Sequence, residues 1–585
     1  MISQLMKGIR ILFTEGPVVL YRKYKKNYRL WHQYDIWIRL HETDALVTEP
    51  LAYTPLISIV VPVYNVKSNM LKACIDSVRS QTYPNWELVL VDDHSSMKSV
   101  RSTLQEYEGQ ERIQIIYREE NGHISRCTNT GFDAATGEFV ALMDCDDTLA
   151  VNALYEVAKL LNQNPQLDYI YTDEDHISEN GRQRMDAFFK PDWSPDTFMS
   201  LMYTCHFSVF RRTMIQELGG LRVGYEGSQD YDLILRLMER TDRIGHVPKI
   251  LYHWRERKES TASDLSAKPY VLESTVQAKG DALKRRGQKG HLEWSDLTSQ
   301  YRVVYEPQGD PKVSIVIPSK DNPDVLQRCI EGIHTISAYR NFEVVVVDNG
   351  SSDENRERIQ AFLAKYNVQY AYQPMDFNFS AMCNIGARLT DGDYILFLND
   401  DIEIRGEEWL SRMLGHCQLS HVGAVGCKLY YPGGEAIQHV GVLNLPIGPG
   451  HAFHKFEDAG KVFYYGRNLL EYNFSIVTGA CLMVSRQKFD EVGGFDETLP
   501  IAYNDVELCF KLIDAGYFNV LRNDVVMIHH ESISRGYEVS QEKIDRQMRE
   551  MRHLYELHPE WKDVDPCYNV NLTRDRGDFS FDIPL

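Results

Sequence analysis

The feature that most constrains the fold is an internal repeat that extends over most of the 585 residues. The run ISIVVP at residues 57–62 recurs as VSIVIP at residues 313–318, an offset of 256 residues. Two further matches keep nearly the same offset: WELVLVDD at 86–93 with FEVVVVDN at 342–349, and VALMDCD at 140–146 with ILFLNDD at 395–401. A repeat of this length is far longer than a solenoid unit, so it indicates the duplication of a whole domain.

The repeat also sets the predicted domain boundaries. A later match, SQDYDL at 228–233 with YNDVEL at 503–508, has an offset of 275 residues, so the second copy contains about twenty extra residues, which we place around 432–466. We predict a basic helical amino-terminal segment, a first domain, a charged linker, a second domain and a helical carboxyl-terminal tail. Their respective boundaries are 1–55, 56–261, 262–311, 312–536 and 537–585.

Within each copy, short β-branched runs alternate with helical patterns. In the first copy, we predict strands at 57–62 and 87–91 and helices at 69–80 and 99–108. Such alternation predicts an α/β fold with a mainly parallel sheet. Ligands of these sheets bind beyond the carboxyl ends of the strands, which is where Asn65, Asp93 and Asp144 lie in the pattern.

An acidic run follows one apolar strand of each copy. The residues are Asp144, Cys145, Asp146 and Asp147 in the first copy and Asn399, Asp400 and Asp401 in the second. Several negative charges beside a core are unfavourable unless a cation is bound. Oxygen ligands without a cysteine cluster favour Mg²⁺ or Mn²⁺, which would bridge a carboxylate and the phosphates of a nucleotide. Aspartate is also common in turns and helix caps, but the matched repetition favours a functional site.

Taken in order, these motifs resemble the family 2 glycosyltransferases of the GT-A fold, in particular the bacterial tandem enzymes that assemble cell-surface polysaccharides. The carriers are residues 58–65, Asp93, the stretch 121–131, the acidic run and the pair at 229–230. The resemblance implies a bifunctional, metal-dependent, inverting glycosyltransferase. Its donors would be UDP- or dTDP-linked sugars, its acceptor a glycan or lipid-linked glycan, and its cofactor Mn²⁺ or Mg²⁺.

The resemblance also implies roles for individual residues. The nucleotide sugar would contact Pro62, Tyr64, Asn65, Asp93, His123 and Asp144 in the first copy, and Pro318, Asn349, Asn399 and Asp400 in the second. The metal ligands would be Asp146 and His253 in the first copy, and Asp401 with His529 or His530 in the second. Asp230 and Asp505 would be the bases that remove the acceptor proton, although aspartate at a helix start is also favoured by the helix dipole.

Two features distinguish the second copy. Asn349 can donate and accept hydrogen bonds where Asp93 only accepts, so we expect the two copies to bind nucleobases differently. The extra segment, with His439, His451 and His454, and the run HESISRG at 530–536 resemble the rhamnosyltransferase-like members, which implies a rhamnose donor. The spacing of these histidines does not favour a zinc site.

Charge and hydropathy indicate the location. The net charge of −20 argues against a nucleic-acid partner. Residues 1–40 carry a net charge of +6 with interleaved apolar residues, which fits a helix on anionic lipid or one packed on its own protein. With no run of about 18 apolar residues and no signal-peptide pattern, we predict a cytoplasmic protein, peripheral at the inner membrane face. The eleven cysteines lack metal-ligand spacing, so we predict that most are buried apolar residues.

Three alternatives remain open at this stage. Only one copy could be catalytic while the other binds acceptor glycan, with Asn399 making the second copy the weaker candidate. The chain could also be a nucleotide- or glycan-binding scaffold without turnover. A nucleotidyltransferase is less favoured, because residues 62–65 and 318–321 contain no glycine-rich phosphate loop. The sequence leaves the oligomeric state open.

Overall fold

The computed structural model describes residues 32–43, 46, 48–256, 269–530 and 541–584. Over these residues the chain forms two α/β domains in tandem, each built on a mixed sheet with a parallel core, which confirms the predicted fold class. None of the helices in these ranges is long and apolar enough to cross a membrane. The predicted lipid-binding residues 1–31 and the run at 531–536 lie outside the described residues.

The first domain contains nine strands and is preceded by helix α1 (Gln33–His41). The strands are β1 (Ile57–Val63), β2 (Trp86–Asp92), β3 (Ile113–Tyr117), β4 (Phe139–Leu142), β5 (Thr148–Leu149), β6 (Tyr169–Ile177), β7 (Arg184–Phe188), β8 (Ser208–Arg211) and β9 (Ile244–Arg255). The helices are α2 (Ser68–Arg79), α3 (Lys98–Gln105), α4 (His123–Ala134), α5 (Ala153–Gln163), α6 (Pro195–Ser200), α7 (Arg212–Leu218) and α8 (Gln229–Leu237).

The order of the first sheet places the acidic residues together. The strand order is β3-β2-β1-β4-β8-β6-β9-β5, and β1 to β4 are parallel. The carboxyl ends of β1, β2 and β4 therefore meet at one edge, which carries Asp93 and Asp144. The short β5 pairs antiparallel with β9 and sets Thr148 opposite His253, so the acidic run lies beside that histidine.

The segment predicted as a linker, 262–311, is folded over most of its described part. It contains helix α9 (Pro269–Arg285) and a hairpin of β10 (Gly290–Ser295) and β11 (Gln300–Tyr305). Ala278, Ala282 and Val303 are buried in the same hydrophobic cluster as residues of both domains. This segment is therefore part of the packed protein.

The second domain repeats the first. Its strands are β12 (Val313–Ser319), β13 (Phe342–Asp348), β14 (Gln369–Tyr372), β15 (Tyr394–Leu398), β16 (Ile402–Glu403), β17 (Val422–Tyr430), β18 (Ile437–His439), β19 (Val442–Leu445), β20 (Gly448–His451), β21 (Tyr472–Asn473), β22 (Cys481–Ser485) and β23 (Phe518–His529). Its helices are α10 (Pro323–Ile336), α11 (Asp353–Leu363), α12 (Phe379–Arg388), α13 (Trp409–Cys417), α14 (Arg486–Glu491) and α15 (Asn504–Asp514). The main sheet has the order β14-β13-β12-β15-β22-β17-β23-β16, the same topology as the first.

In both domains a helix packs closely on the first strand of the sheet. A Cβ on Gly131 of α4 would come within 2.4 Å of Val60, and one on Gly386 of α12 within 2.2 Å of Val316. Only glycine allows these helices to approach the sheet so closely, so matching glycines at the two positions reflect the same packing.

The extra residues of the second domain form a docking element. They include β18, β19 and β20, in the region predicted for the insertion, and continue to Tyr464 and Tyr465. The hydroxyl of Tyr464 donates to the carbonyl of Phe189 at 2.9 Å and accepts from its N–H at 3.1 Å. The ring of Tyr465 stacks on Phe188 with a centroid distance of 3.6 Å. The insertion therefore packs on the first domain.

The described parts of the amino-terminal segment and of the carboxyl-terminal tail also contact the first domain. In α1, Trp37 is buried against Phe189, so this part of the basic segment packs on its own protein. The tail forms helix α16 (Gln541–Leu557) and then an irregular segment, so the predicted helical tail is helical only in its first part. In that irregular segment Asn569 donates to Asp173 at 2.9 Å. All eleven cysteines are free and nine are buried, as predicted.

A buried carboxylate joins the two domains. Asp196, at the start of α6, receives hydrogen bonds from His416 at 2.8 Å, His421 at 3.1 Å and Asn473 at 2.8 Å, all from the second domain. Burial alone would raise the pKa of Asp196, but the two histidines hold it well below its ordinary value. A buried charge of this kind must keep its partners, so the domains are held in one arrangement.

We expect Asp196→Ala to lower the free energy of unfolding by about 3 kcal/mol, because it leaves buried polar partners unpaired. Equilibrium urea unfolding measures the loss. The control Asp133→Ala removes an exposed carboxylate and should change the value by less than about 0.5 kcal/mol. Equal effects of the two substitutions would contradict the proposed importance of this contact.

Candidate functional site

The end of β2 in the first domain forms a polar pocket around Asp93. This side chain is 2% exposed, accepts from the N–H of Gly122 at 2.9 Å and pairs with Nε of Arg118 at 2.9 Å. Of the predicted neighbours, Pro62 is half-buried, while Tyr64 and His123 are exposed at the rim. Together these side chains could surround a planar base, with the rim residues free to contact it.

The side chain of Asn65 is hydrogen-bonded to the loop that follows β2. Its side-chain oxygen accepts from the hydroxyl of Ser96 at 3.2 Å and from the N–H of Met97 at 3.0 Å. The Asn65 amide therefore holds the loop that leads into α3. Its part in ligand binding stays a prediction.

The acidic run of the first domain is anchored by its last member. Asp147 is fully buried, accepting from the hydroxyl of Tyr252 at 2.6 Å and from the N–H of Arg255 at 2.7 Å. Its burial, with Asp144 and Asp146 close by, raises its pKa well above the ordinary value. Asp144 and Asp146 are only half-buried, so the predicted ligands face the crevice side of the run.

His253 is oriented by a carboxylate that sequence reasoning missed. Its Nδ1 lies 2.6 Å from Oδ1 of Asp175. Asp175 also accepts from Nε of Arg184 at 2.5 Å and from the hydroxyl of Tyr34 of α1. A carboxylate on Nδ1 is the usual support of a metal-binding histidine, because it fixes the ring and leaves Nε2 for the metal. The signal was present in the sequence, since β6 ends in the acidic run TDED at 172–175.

Asp230 lies at the start of α8, where the amide of Gln229 donates to it at 2.8 Å. Burial, with the charge of Asp144 as the second cause, raises the pKa of Asp230 to about 7. The two predicted residues are therefore close enough to interact. A carboxylate with this pKa can take up a proton near neutral pH, as a general base must.

A loop beside these residues was also missed. Nε2 of His206 lies 3.8 Å from Oδ2 of Asp144, and its ring stacks on Tyr252 with centroids 4.5 Å apart. Burial lowers the pKa of His206 to about 4, so the imidazole is neutral. The fully buried Lys190 holds this loop by donating to the carbonyls of Thr204 at 3.0 Å and His206 at 2.5 Å.

In the second domain, the structure distinguishes the two candidate histidines. Nε2 of His529 lies 2.9 Å from Oδ1 of Asp401 and 3.3 Å from the amide nitrogen of Asn399. His530 instead pairs with Glu403 at 2.9 Å. In the strand register Ile402 is opposite His529, as Thr148 is opposite His253. The structure therefore brings the imidazole of His529, and not that of His530, to the acidic run.

The other predicted residues of the second domain divide into two groups. Asp505 accepts from the N–H of Gly479 at 2.8 Å, and burial raises its pKa, as in Asp230. Asp400, in contrast, accepts from the hydroxyl of Ser319 at 2.6 Å at the end of β12, next to the buried Pro318. Asp505 thus resembles Asp230, whereas the side chain of Asp400 is hydrogen-bonded to the end of β12.

The pocket after β13 differs in charge from its counterpart. Asn349 is 1% exposed, and its side-chain oxygen accepts from the N–H of Met375 at 3.3 Å. Its Nδ2 is buried and has no hydrogen-bond partner among the described residues. At the position of Arg118, whose N–H donates to Asp92, the second domain has Gln373, whose N–H donates to Asp348. A charged pair in one pocket is therefore replaced by neutral groups in the other.

Three histidines of the insertion lie together although their spacing did not indicate it. Nδ1 of His439 is 3.0 Å from Nδ1 of His451, and the rings of His451 and His454 are 5.9 Å apart. Burial lowers the pKa of His451 to about 4. The β18–β20 segment folds back on itself and creates the cluster, which sequence spacing could not show.

The donor set of each domain fits Mg²⁺ or Mn²⁺. Aspartate oxygens and one imidazole are available at matched places in the two domains. Hard divalent cations prefer oxygen ligands, and Mn²⁺ also accepts imidazole. Asp146 with His253, and Asp401 with His529, are the residues that could hold the ion.

Comparison with known proteins supports these observations. The family described as "Glycosyl transferase family 2" matches residues 58–219 and 314–493. The uncharacterized protein y4gI of Sinorhizobium fredii is 40% identical over 91% of this chain and 59% of its own length. The O-antigen biosynthesis protein RfbC of Myxococcus xanthus is 37% identical over 89% of this chain and 41% of its own length. The chain thus spans about half the length of these relatives.

One solved structure, S. aureus TarS in complex with UDP, is similar over 39% of this chain and 65% of that chain. The sequence identity is 19% and the TM-score is 0.31.

The raised pKa of Asp230 predicts a pH-dependent effect on stability. A carboxyl whose pKa is higher in the folded state than in the unfolded state binds more protons when folded, so its ionisation destabilises the protein as pH rises from about 4 to 7. Asp230→Asn should therefore be more stable than the parent at pH 8, by up to about 4 kcal/mol, and the difference should shrink towards pH 4.

Thermal unfolding with EDTA at several pH values measures this difference. The control Asp133→Asn, at an exposed position, should show no pH-dependent difference from the parent. A stability difference for Asp230→Asn that is the same at every pH would show that the pKa of Asp230 is not raised.

Proposed function

Because the chain belongs to glycosyl transferase family 2, we propose that both domains transfer sugars, with inversion, from nucleotide-sugar donors to a growing bacterial surface polysaccharide. The observation that carries this proposal is the pairing of a carboxylate of raised pKa with an acidic run in each crevice. In the first domain Asp230 is close to Asp144, and in the second Asp505 accepts a hydrogen bond from Gly479, in the loop that also contacts Asn399.

The proposed chemistry requires one base in each domain. Asp230 or Asp505 accepts the proton of an acceptor hydroxyl as that oxygen forms a bond to the anomeric carbon of the donor. The bond between the anomeric carbon and the nucleoside diphosphate breaks, and its electron pair leaves with the diphosphate. Attack from the face opposite the leaving group inverts the anomeric centre.

The remaining residues orient the donor. We propose that Asp93 and Asn349 bind the nucleobases and that Asp144 and Asn399 lie beside the donor sugar. Asp146 with His253, and Asp401 with His529, would hold Mn²⁺ or Mg²⁺. When bound, the ion supplies positive charge that offsets the charge of the departing diphosphate.

The donor, acceptor and location are further parts of the proposal. The name of the O-antigen relative supports a surface polysaccharide as product. We propose UDP- or dTDP-linked donors, a rhamnosyl donor for the second domain, and a glycan or lipid-linked acceptor. The charge of +6 on residues 1–40 supports peripheral binding to the cytoplasmic face of the membrane.

One observation favours a second candidate for the second domain. Asn399 replaces the aspartate found at 144, and its amide nitrogen lies 3.3 Å from His529. With one carboxylate fewer, this domain could bind acceptor glycan without transferring a sugar. Activity of single-domain variants separates the two candidates.

We expect Asp230→Asn and Asp505→Asn each to lower one transfer reaction by about 10² to 10⁴-fold and to leave the other intact, because an amide cannot accept the acceptor proton. Product linkage analysis with a panel of UDP- and dTDP-sugars measures each reaction. The exposed carboxylates Glu217 and Asp490 provide controls, as Glu217→Gln and Asp490→Asn.

Transfer by the first domain should also rise with pH through about 7, as Asp230 ionises. Unchanged linkages in both aspartate variants would refute the assignment of the bases. Loss of transfer only in Asp230→Asn would support a non-catalytic second domain.

The adjacent histidines of the second domain provide a matched test of metal binding. We expect His529→Ala to weaken binding of one Mn²⁺ by at least about tenfold, whereas His530→Ala leaves it unchanged, because the imidazole of His529 lies against the Asp401 carboxylate and that of His530 pairs with Glu403. Electron paramagnetic resonance of free Mn²⁺ in the presence of UDP measures the affinity. Equal effects of the two variants would exclude His529 as the specific ligand.

A further inference from the structure

A short loop lies beside the acidic run in each domain. In the second domain it spans residues 478–480: the N–H of Gly479 donates to Asp505 at 2.8 Å, and the N–H of Asn399 donates to the carbonyl of Ala480 at 3.0 Å. The loop therefore contacts both functional residues. If the base and the acidic run act on one donor, its transferred sugar must lie against this loop.

The strand register identifies the same loop in the first domain. Leu142 of β4 pairs with Ser208, and its counterpart Phe397 of β15 pairs with Leu482. Two residues before these partners are His206 and Ala480, respectively. The two domains therefore differ at this position by an imidazole in place of a methyl group.

The surroundings of His206 show that its ring is held in place. One face stacks on Tyr252 at 4.5 Å, and the ring meets Trp254 edge-on at 5.5 Å. The main chain is fixed by the buried Lys190, and Oε2 of Glu174 accepts from the N–H of His206 at 3.2 Å. A ring held this firmly presents its nitrogens at defined positions.

One nitrogen of this ring has no partner within the protein. His206 is 7% exposed, and its Nδ1 is buried without a hydrogen bond to any described residue. An unsatisfied buried nitrogen of this kind is unfavourable by about 1 to 3 kcal/mol. Because Nδ1 is buried, a ligand would contact the ring through Nε2, which lies 3.8 Å from Oδ2 of Asp144.

We propose that His206 determines the sugar specificity of the first domain, by hydrogen bonding to a hydroxyl or acetamido group of the transferred sugar. In the second domain Ala480 leaves the corresponding space open and apolar, which suits a sugar that presents a bulkier or apolar substituent there. The two domains therefore select different donor sugars. This inference rests on the proposed function, because it requires the donor to lie between the acidic run and the base.

The test exchanges the two residues in the full-length chain. Isothermal titration in Mn²⁺ compares UDP and dTDP with UDP-glucose, UDP-N-acetylglucosamine, UDP-galactose and dTDP-rhamnose, for the parent, His206→Ala, His206→Gln and Ala480→His. We expect His206→Ala to weaken one nucleotide-sugar binding event about tenfold, the loss of about one hydrogen bond, with free-nucleotide affinity unchanged within about twofold. His206→Gln should recover part of the loss.

Ala480→His tests the other domain independently, so the inference stays testable if His206→Ala fails to fold. It should change the order of preference among the sugars at the second binding event only. Equal weakening of free nucleotides and nucleotide sugars, or an unchanged order of preference in both exchanges, would overturn the role of these residues. If the parent binds none of the nucleotides, the proposed function itself is wrong. Binding of nucleotides and sugars with unaltered preference refutes only the present inference.

Discussion

The carboxylates of the candidate sites are buried or half-buried, so each charge is partly removed from water and must be balanced by neighbours. Different neighbours fix some of these side chains and raise the proton affinity of others. Asp93 is paired with Arg118, and Asp175 with Arg184 and His253, and these contacts fix the side chains. Asp230 has only an amide donor and a nearby carboxylate, so its affinity for protons rises. The way in which each buried charge is balanced thus distinguishes the carboxylates proposed to bind from the carboxylate proposed as the base.

The same constraint explains how the two sites have diverged. Where the first pocket has Asp93 paired with Arg118, the second has the neutral residues Asn349 and Gln373, so both charges are absent together and no unpaired ion is left. At the acidic run, Asn399 contacts His529, so an amide now occupies a place where a carboxylate stands in the first domain. Substitutions that keep local charge balance preserve the fold while they change what the pocket can bind.

Much of this architecture could be predicted from the sequence, because the repeat and the strand patterns are local. The matched offsets located both sheets and the acidic edge, and predicted strand limits such as 57–62 differ from β1 by one residue. The pairing of β16 with β23 could not be read from spacing, so the choice between His529 and His530 required the register of two distant strands. His206 was missed for the same reason, since its counterpart is an alanine in a strand-end loop. The charged composition of 262–311 did not indicate that α9 and a hairpin bury apolar faces in this segment.

The contacts of the insertion make the structure of the first domain dependent on the second domain. Tyr465 covers Phe188, and Tyr464 is bonded to Phe189, immediately before the lysine that supports the His206 loop. A fragment cut between the domains would expose these aromatic rings to water and deprive Asp196 of its histidine partners. The two domains arose by duplication, but the first now depends on contacts with the second. The smallest unit that keeps the first crevice intact includes the insertion of the second domain.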